Sequence, residues 1–191
     1  MTLTHRRATR ADLPALHELV TAAIDTLQRP FLDAAQIAAS HAIMGVDSRL
    51  VDDGTYFVVE SDGEIAGCGG WSRRATLYGG DHTAGRDDTP LDPATDAARV
   101  RAMYTHPRHT RRGVGRLVLE CCQAAATAAG FRRLELLATM AGQPLFRSFG
   151  FEPVETVTNT ASGVAIPLVR MVKIIPAADR AAHDPPQVAT A

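Results

Sequence analysis

The sequence holds three cysteines in 191 residues, too few for a disulfide framework. Two of them, Cys121 and Cys122, are adjacent in a helix-like run, where their side chains diverge and make poor mutual partners. None of the seven histidines pairs with a cysteine at zinc-ligand spacing, so no metal is expected. No apolar run approaches the ~20 residues that a membrane span needs. Met1–Arg10 is polar and basic without an apolar centre, so no signal peptide is expected either. An excess of charge is also missing. The formal net charge of −1 leaves no global field to draw the chain to nucleic acid or an anionic membrane. A cytoplasmic setting, reducing and free of membrane, is the simplest reading.

What is present is ordinary for a globular protein: 46% hydrophobic and 21% charged residues, in a chain long enough for one cored domain. Leu3–Ala8 reads as a short strand, and Asp12 as the N-cap of a helix with Pro14 in its first turn. Leu13, Leu16, Val20, Ile24 and Leu27 recur at helical spacing, and Asp33 can cap a second helix through Met44. Thr55–Glu60 is rich in β-formers, Asp62-Gly63 supplies turn chemistry, and Ile65–Trp71 returns, which predicts a hairpin. Gly67, Gly69 and Gly70 in the returning strand imply a bulge or the close approach of another group.

Periodicity then lapses. Residues 72–97 collect Gly, Asp, Thr and Pro and read as an irregular insertion, either functional or a surface excursion. Ala98–Thr105 predicts a strand, and a helix starts near Gly113, with Leu117, Val118, Cys121, Ala125 and Ala128 on its inner face and Gly130 closing it. Arg132–Thr139 reads as a strand, Pro144–Phe149 as a short helix and Ile166–Ile174 as the last strand. The expected domain is 1–175, with 176–191 a disordered tail too poor in apolar residues to pack.

The chemistry sits in the run from Ala102 to Arg116: strand, basic turn, two glycines, helix. Successive backbone N–H groups at such a turn and at a helix start converge into an anion nest. Gly113 and Gly115 would let a phosphate approach the main chain, and Arg111, Arg112 and Arg116 add positive charge, so a diphosphate is the natural guest. No Lys-Ser/Thr follows to make a Walker A loop, and G-x-G alone, deep in the domain, is not a dinucleotide fingerprint. A glycine-containing turn that merely caps a helix is the plain alternative.

With its surroundings, the run resembles the GNAT superfamily of acetyl-CoA-dependent N-acetyltransferases, whose signature is Q/R-x-x-G-x-G/A after a strand ending in an H-P-like step. The six positions are Thr110, Arg111, Arg112, Gly113, Val114 and Gly115, with Thr110 in place of the usual Gln or Arg. Downstream, Thr139, Gly142, Phe146 and Gly150-Phe151 fall on the family's N-x-x-A-x-x-x-Y-x-x-x-G-F pattern, with Phe146 at the tyrosine position. The resemblance spans roughly Thr4–Lys173. It implies an α/β (α+β) GNAT fold: a central mixed, mostly antiparallel twisted sheet of about six to seven strands with helices on both faces.

It also implies acetyl-CoA as co-substrate and direct transfer to the primary amine of a small molecule. Met103, Tyr104 and Thr105 would lend main-chain hydrogen bonds to the pantetheine arm. Thr110, Arg111, Arg112, Gly113, Val114, Gly115 and Arg116 would hold the pyrophosphate, and Thr139 and Phe146 would border the thioester. Phe146 has no proton to give, so the family's usual acid is absent; Tyr104 and Tyr78 are substitutes only in principle. No base is assigned. Glu135 lies one residue out of step with a known base position, and Glu60, Asp81 and His82 lack positional support. Arg99 and Arg101 have two readings. They hold an acidic group on the acceptor, with Trp71 nearby, or they pair with Asp92 and Asp96. Cys121 and Cys122 read as buried, and Cys68 as partly accessible. An acyl-CoA-binding sensor is the rival reading, and a homodimer is left open.

Overall fold

The computed structural model describes residues 2–176. Apart from Pro176, the tail expected to be disordered lies outside the described residues. Among them, seven strands form one sheet: β1 (Leu3–Arg7), β2 (Tyr56–Ser61), β3 (Glu64–Ser72), β4 (Ala98–Thr105), β5 (Arg133–Thr139), β6 (Glu152–Asn159) and β7 (Ile166–Ile174). Their spatial order is β1-β2-β3-β4-β5-β7-β6, with every neighbouring pair antiparallel except β4 and β5. The helices are α1 (Leu13–Leu27), α2 (Ala34–Ile43), α3 (Ser48–Asp52), α4 (Val114–Ala128) and α5 (Gln143–Ser148). The expected architecture, a mixed and mostly antiparallel sheet with helices on both faces, is the one observed.

Local chemistry accounts for most of these elements. Asp62 and Gly63 both have positive φ, +53° and +86°, the geometry of a tight two-residue hairpin turn between β2 and β3. Asp33 accepts from the Gln36 N–H at 2.8 Å while the Gln36 side chain accepts from the Asp33 N–H, a reciprocal cap for α2. Asp12 behaves otherwise than expected. Its carboxylate turns back to the Thr9 N–H at 2.7 Å and to Arg6, closing a 3-10 turn ahead of α1 instead of capping it.

The core has two sides. Against one face of the sheet, α4 and α5 bury Val114, Val118, Cys122 and Phe146 with Phe131, Leu134 and Trp71. Against the other, α1 buries Leu16, Val20 and Ile24 with Tyr56 and Val58, and α2 joins Ile43 to Ile166 and Leu168. The inner face of α4 is rotated from the expected one: Val114, Val118, Leu119, Cys122 and Ala126 are buried, Leu117, Cys121 and Ala125 are half-buried, and Ala128 is exposed. Cys68, expected to be partly accessible, is fully buried.

Two short elements escaped the sequence reading. The α3 turn begins at Asp47, whose carboxylate accepts from the Arg49 N–H at 3.1 Å. β6 is an edge strand with mostly exposed residues and a proline, Pro153, of the kind edge strands tolerate. Among the described residues no helix is long and apolar enough to cross a membrane, and no cluster of three or more His, Cys, Asp or Glu could hold a metal ion.

Candidate active site

The site is made by a break in the sheet. β4 and β5 pair only at Ala98–Leu134 and Arg99–Glu135, after which they share no ladder. From residue 100 onward, the edge of β4 that faces β5 therefore lacks a strand partner, although β4 stays paired to β3 on its other side. β4 also carries a bulge: Ala102 has φ +49°, and two β4 residues, Ala102 and Met103, lie opposite the single β3 residue Gly69. The bulge reverses which face each later side chain takes. Val100 and Met103 pack on the α4 side, whereas Arg101, Ala102 and Tyr104 point towards α1 and α3.

The end of the split is closed by the turn between β4 and α4. Pro107–His109 form a 3-10 turn, and the Thr110 hydroxyl donates to the Pro107 carbonyl at 3.2 Å. Arg111 and Gly113 then take left-handed conformations, φ +61° and +86°, beside residues of ordinary hand. Such alternation turns consecutive N–H groups to a common side, and the first N–H groups of α4 lack intrahelical acceptors. A left-handed arginine is strained, and strain of this kind concentrates at binding sites.

The two glycines have different reasons. Gly113 is required by its φ, since a Cβ there would meet only Leu3 at 3.8 Å. Gly115 has normal φ and leaves room for α5: a Cβ would lie 2.6 Å from Leu145 Cδ2, which would have to shift. Gly67 and Gly69 of β3 let α4 settle low on the sheet, because Cβ atoms there would strike Val114 and Val118 at 2.4 and 2.7 Å. The start of α4 is thereby set at the mouth of the split.

Two cavities meet in the split. The larger, about 610 Å³, runs from the Arg111–Arg116 turn along Met103–Thr105 to α1 and Phe31. The smaller, about 120 Å³, lies beyond, between the end of α2, Leu77–Gly79 of the insertion, β4, β5 and β7. Met44, Met103, Tyr104, Thr139, Gly142 and Phe146 border both. The Thr139 hydroxyl accepts from the Gly142 N–H at 3.2 Å, and the Phe146 ring packs edge-on to Phe151. Tyr104 takes the Gly45 N–H on its hydroxyl oxygen at 3.0 Å, and burial pushes its phenol well above the ordinary value.

An acetyltransferase (GNAT) domain model matches residues 52–153, more than half of the chain, and includes the split and the turn. The chain belongs to the GNAT acetyltransferase family. Solved structures carry the same fold over nearly the whole chain. A GCN5-related N-acetyltransferase from Rhodopseudomonas palustris has a TM-score of 0.68 at 18% identity, covering 92% of this chain and 97% of its own. The PaiA N-acetyltransferase of Thermoplasma acidophilum, solved with coenzyme A, has 0.62 at 12%, covering 91% and 99%. YncA of Salmonella typhimurium, described as a putative acetyltransferase with its cofactor acetyl-CoA, has 0.60 at 19%, covering 93% and 96%. No curated protein matches in sequence.

The residues that the GNAT motifs nominate gather in one place. Met103–Thr105, Thr110, Arg111, Gly113–Arg116, Thr139 and Phe146 all line the larger cavity, while Arg112 lies outside its lining. Arg116 reaches back to Glu120 at 3.1 Å. Of the nominated acceptor residues, Arg101 lines the smaller cavity, whereas Trp71 and Arg99 border neither. Trp71 is buried in the α4-side core, edge-on to Phe131 at 5.9 Å, and borders neither cavity. Arg99 is ion-paired with Glu135, which Arg170 also holds at 3.0 Å, so the Glu135 carboxylate is occupied.

Arg101 is 5% exposed and bonds Asp47 Oδ2 at 2.7 Å and the Gly79 carbonyl at 2.8 Å. Neither arginine has Asp92 or Asp96 as its ion-pair partner, and the bulge removes Arg101 from the face of Met103 and Thr105. Burial pulls the pKa of both guanidiniums down, and Asp47 opposes this at Arg101. Asp47 is the residue the sequence reading missed. It is 1% exposed and also pairs with Arg86 at 2.8 Å, tying the insertion to β4. An aspartate followed by Ser48-Arg49 carries no sign of that role beyond its capping position.

Proposed function

We propose that the protein is an N-acetyltransferase that moves an acetyl group from acetyl-CoA to a primary amine of a small molecule by direct attack in a ternary complex. One observation carries the reading: two cavities of unequal size meet at a six-residue junction, and only the larger opens on the left-handed Arg111–Gly113 turn. In this reading the turn and the start of α4 hold the pyrophosphate through main-chain N–H groups, with Arg111 and Arg116 as nearby charges. The unpaired edge of β4 offers main-chain hydrogen bonds to the pantetheine arm, which brings the thioester to Met103, Tyr104 and Phe146. An amine in the smaller cavity then faces the thioester carbonyl. Orientation supplies much of the rate, because two held reactants react as one molecule.

A sensor that binds acyl-CoA without turnover has two observations in its favour: Phe146 at the junction has no acidic proton, and Glu135 is held by two arginines. Thiol release from acetyl-CoA, measured against a panel of amino acids, polyamines, aminoglycosides and peptides, separates the two. Release with one amine class is the expected result. Coenzyme binding with no release across the panel would establish the sensor.

A further inference from the structure

The smaller cavity is built for a particular kind of amine. Ile43, Met44, Leu77, Val100, Leu137 and Leu168 supply its walls. Among the described residues that line it, Arg101 is the one charged side chain; its terminal nitrogens are engaged by Asp47 and the Gly79 carbonyl, and its buried Nε has no hydrogen-bond partner. No carboxylate or imidazole is among those lining residues. The Arg101 charge is already paired with Asp47, so a carboxylate or phosphate carried in by a substrate would have to compete with that buried pair, and burying an ion without a full partner costs several kcal/mol. At about 120 Å³ the space is also below the ~300 Å³ at which drug-sized sites begin.

Groups further out are turned to partners of their own. His41 of α2 bonds Asp25 at 2.7 Å. Asp47 and Arg86 lie behind Arg101, and Glu135 is held between Arg99 and Arg170. Asp81 accepts from Ser48 at 2.9 Å, the His82 ring packs on Gly45, and Arg147 of α5 is exposed. Of the two phenols on the lining, Tyr104 is bonded to Gly45, and Tyr78 is 40% exposed.

We propose that the acceptor is a primary amine on a small, uncharged apolar body, and that this cavity takes it up as the free base with no protein group removing its proton. The proposal rests on the N-acetyltransferase reading. Apolar walls disfavour an ammonium ion, so the cavity itself selects the form whose lone pair can attack. The nitrogen bonds to the thioester carbon, the C–S bond breaks with its electron pair leaving on sulfur, and the surplus N–H proton ends on that thiolate. Amide and free coenzyme thiol are the products, and no further reactant is needed.

The test is kcat/KM against pH for two apolar primary amines of similar size and different basicity, with a carboxylate-bearing analogue alongside and acetyl-CoA affinity measured by calorimetry. The expected profile rises about tenfold per pH unit and levels off at each amine's own pKa, so that the break moves with the amine. The carboxylate analogue is expected to be at least about tenfold poorer. In Leu77→Arg, which brings a free cation to the cavity wall, the apolar amines should lose at least about tenfold in kcat/KM while coenzyme affinity holds. A break fixed at one pH for both amines, or one abolished by His82→Ala, would overturn the proposal and install a protein base. Preference for the carboxylate analogue would overturn the acceptor class while leaving acetyl transfer intact. Acetyl-CoA binding with no thiol release from any amine would overturn both.

Discussion

Asp47→Asn tests whether the insertion is locked to β4 by a buried charge. The wild-type carboxylate sits between Arg86 and Arg101, at 2.8 and 2.7 Å, and is almost wholly removed from water. Taking away one partner of a buried ion pair costs about 3–5 kcal/mol, because the opposite charge is left without compensation. The asparagine keeps the volume, one acceptor and the N-cap of α3, which offsets about 1 kcal/mol of that. A net loss of about 3 kcal/mol is expected, a large share of the ~5–15 kcal/mol by which domains are stable.

Equilibrium urea unfolding at pH 7 measures it, read as a lower midpoint with an unchanged slope. Arg10→Ala is the control: it breaks a 2.6 Å pair with Asp52 whose arginine is largely exposed, and the midpoint should not move. Equal effects from the two variants would refute the reasoning, since burial and not distance is what sets the cost. Because Gly79 hangs from Arg101, Asp47→Asn should also raise the acceptor KM more than the coenzyme Kd.

Gly113→Val forces a β-branched residue to φ +86°, so it should lose about 1–2 kcal/mol of stability and weaken acetyl-CoA at least about tenfold by calorimetry. Thiol titration of the native protein at pH 8 should find one slowly reacting cysteine, Cys121, and three after denaturation. Cys68 and Cys122 are fully buried, and burial pushes the Cys68 thiol up to about 12. Arg6 holds the Asp12 carboxyl well below the usual range. A depressed folded-state pKa stabilises above the ordinary carboxylate value and is lost as pH falls through the depressed one. Asp12→Asn should therefore lower stability at pH 7, with the difference from wild type shrinking below about pH 4 in acid unfolding curves.

What could be read ahead of the structure was what local chemistry decides. The Asp62-Gly63 turn, the Asp33 cap and the Gly130 helix stop are set by neighbours in sequence, and each was legible. The left-handed turn ahead of α4 was legible for the same reason, although Gly115 answers to Leu145 as well. The placement of Arg101 and Trp71 was misread because it depends on which face a side chain takes. Alternation along a strand assumes an unbroken ladder, and the left-handed Ala102 breaks it one residue after Arg101. Trp71 went to the α4-side core and Arg101 to Asp47, a partner 54 positions away that no pattern marks. β6 was missed because an exposed edge strand needs no apolar face.

Coenzyme binding through the left-handed turn is the central claim, and the most direct measurement compares acetyl-CoA with S-acetyl-pantetheine on the full chain by calorimetry. The pantetheine compound keeps the thioester and the arm but lacks the pyrophosphate and the adenosine 3′-phosphate beyond it. Acetyl-CoA should bind at least about a hundredfold more tightly, the ~2.7 kcal/mol expected of several charge-assisted N–H contacts. Equal affinity for the two would contradict the assignment of Arg111–Arg116 as the pyrophosphate site.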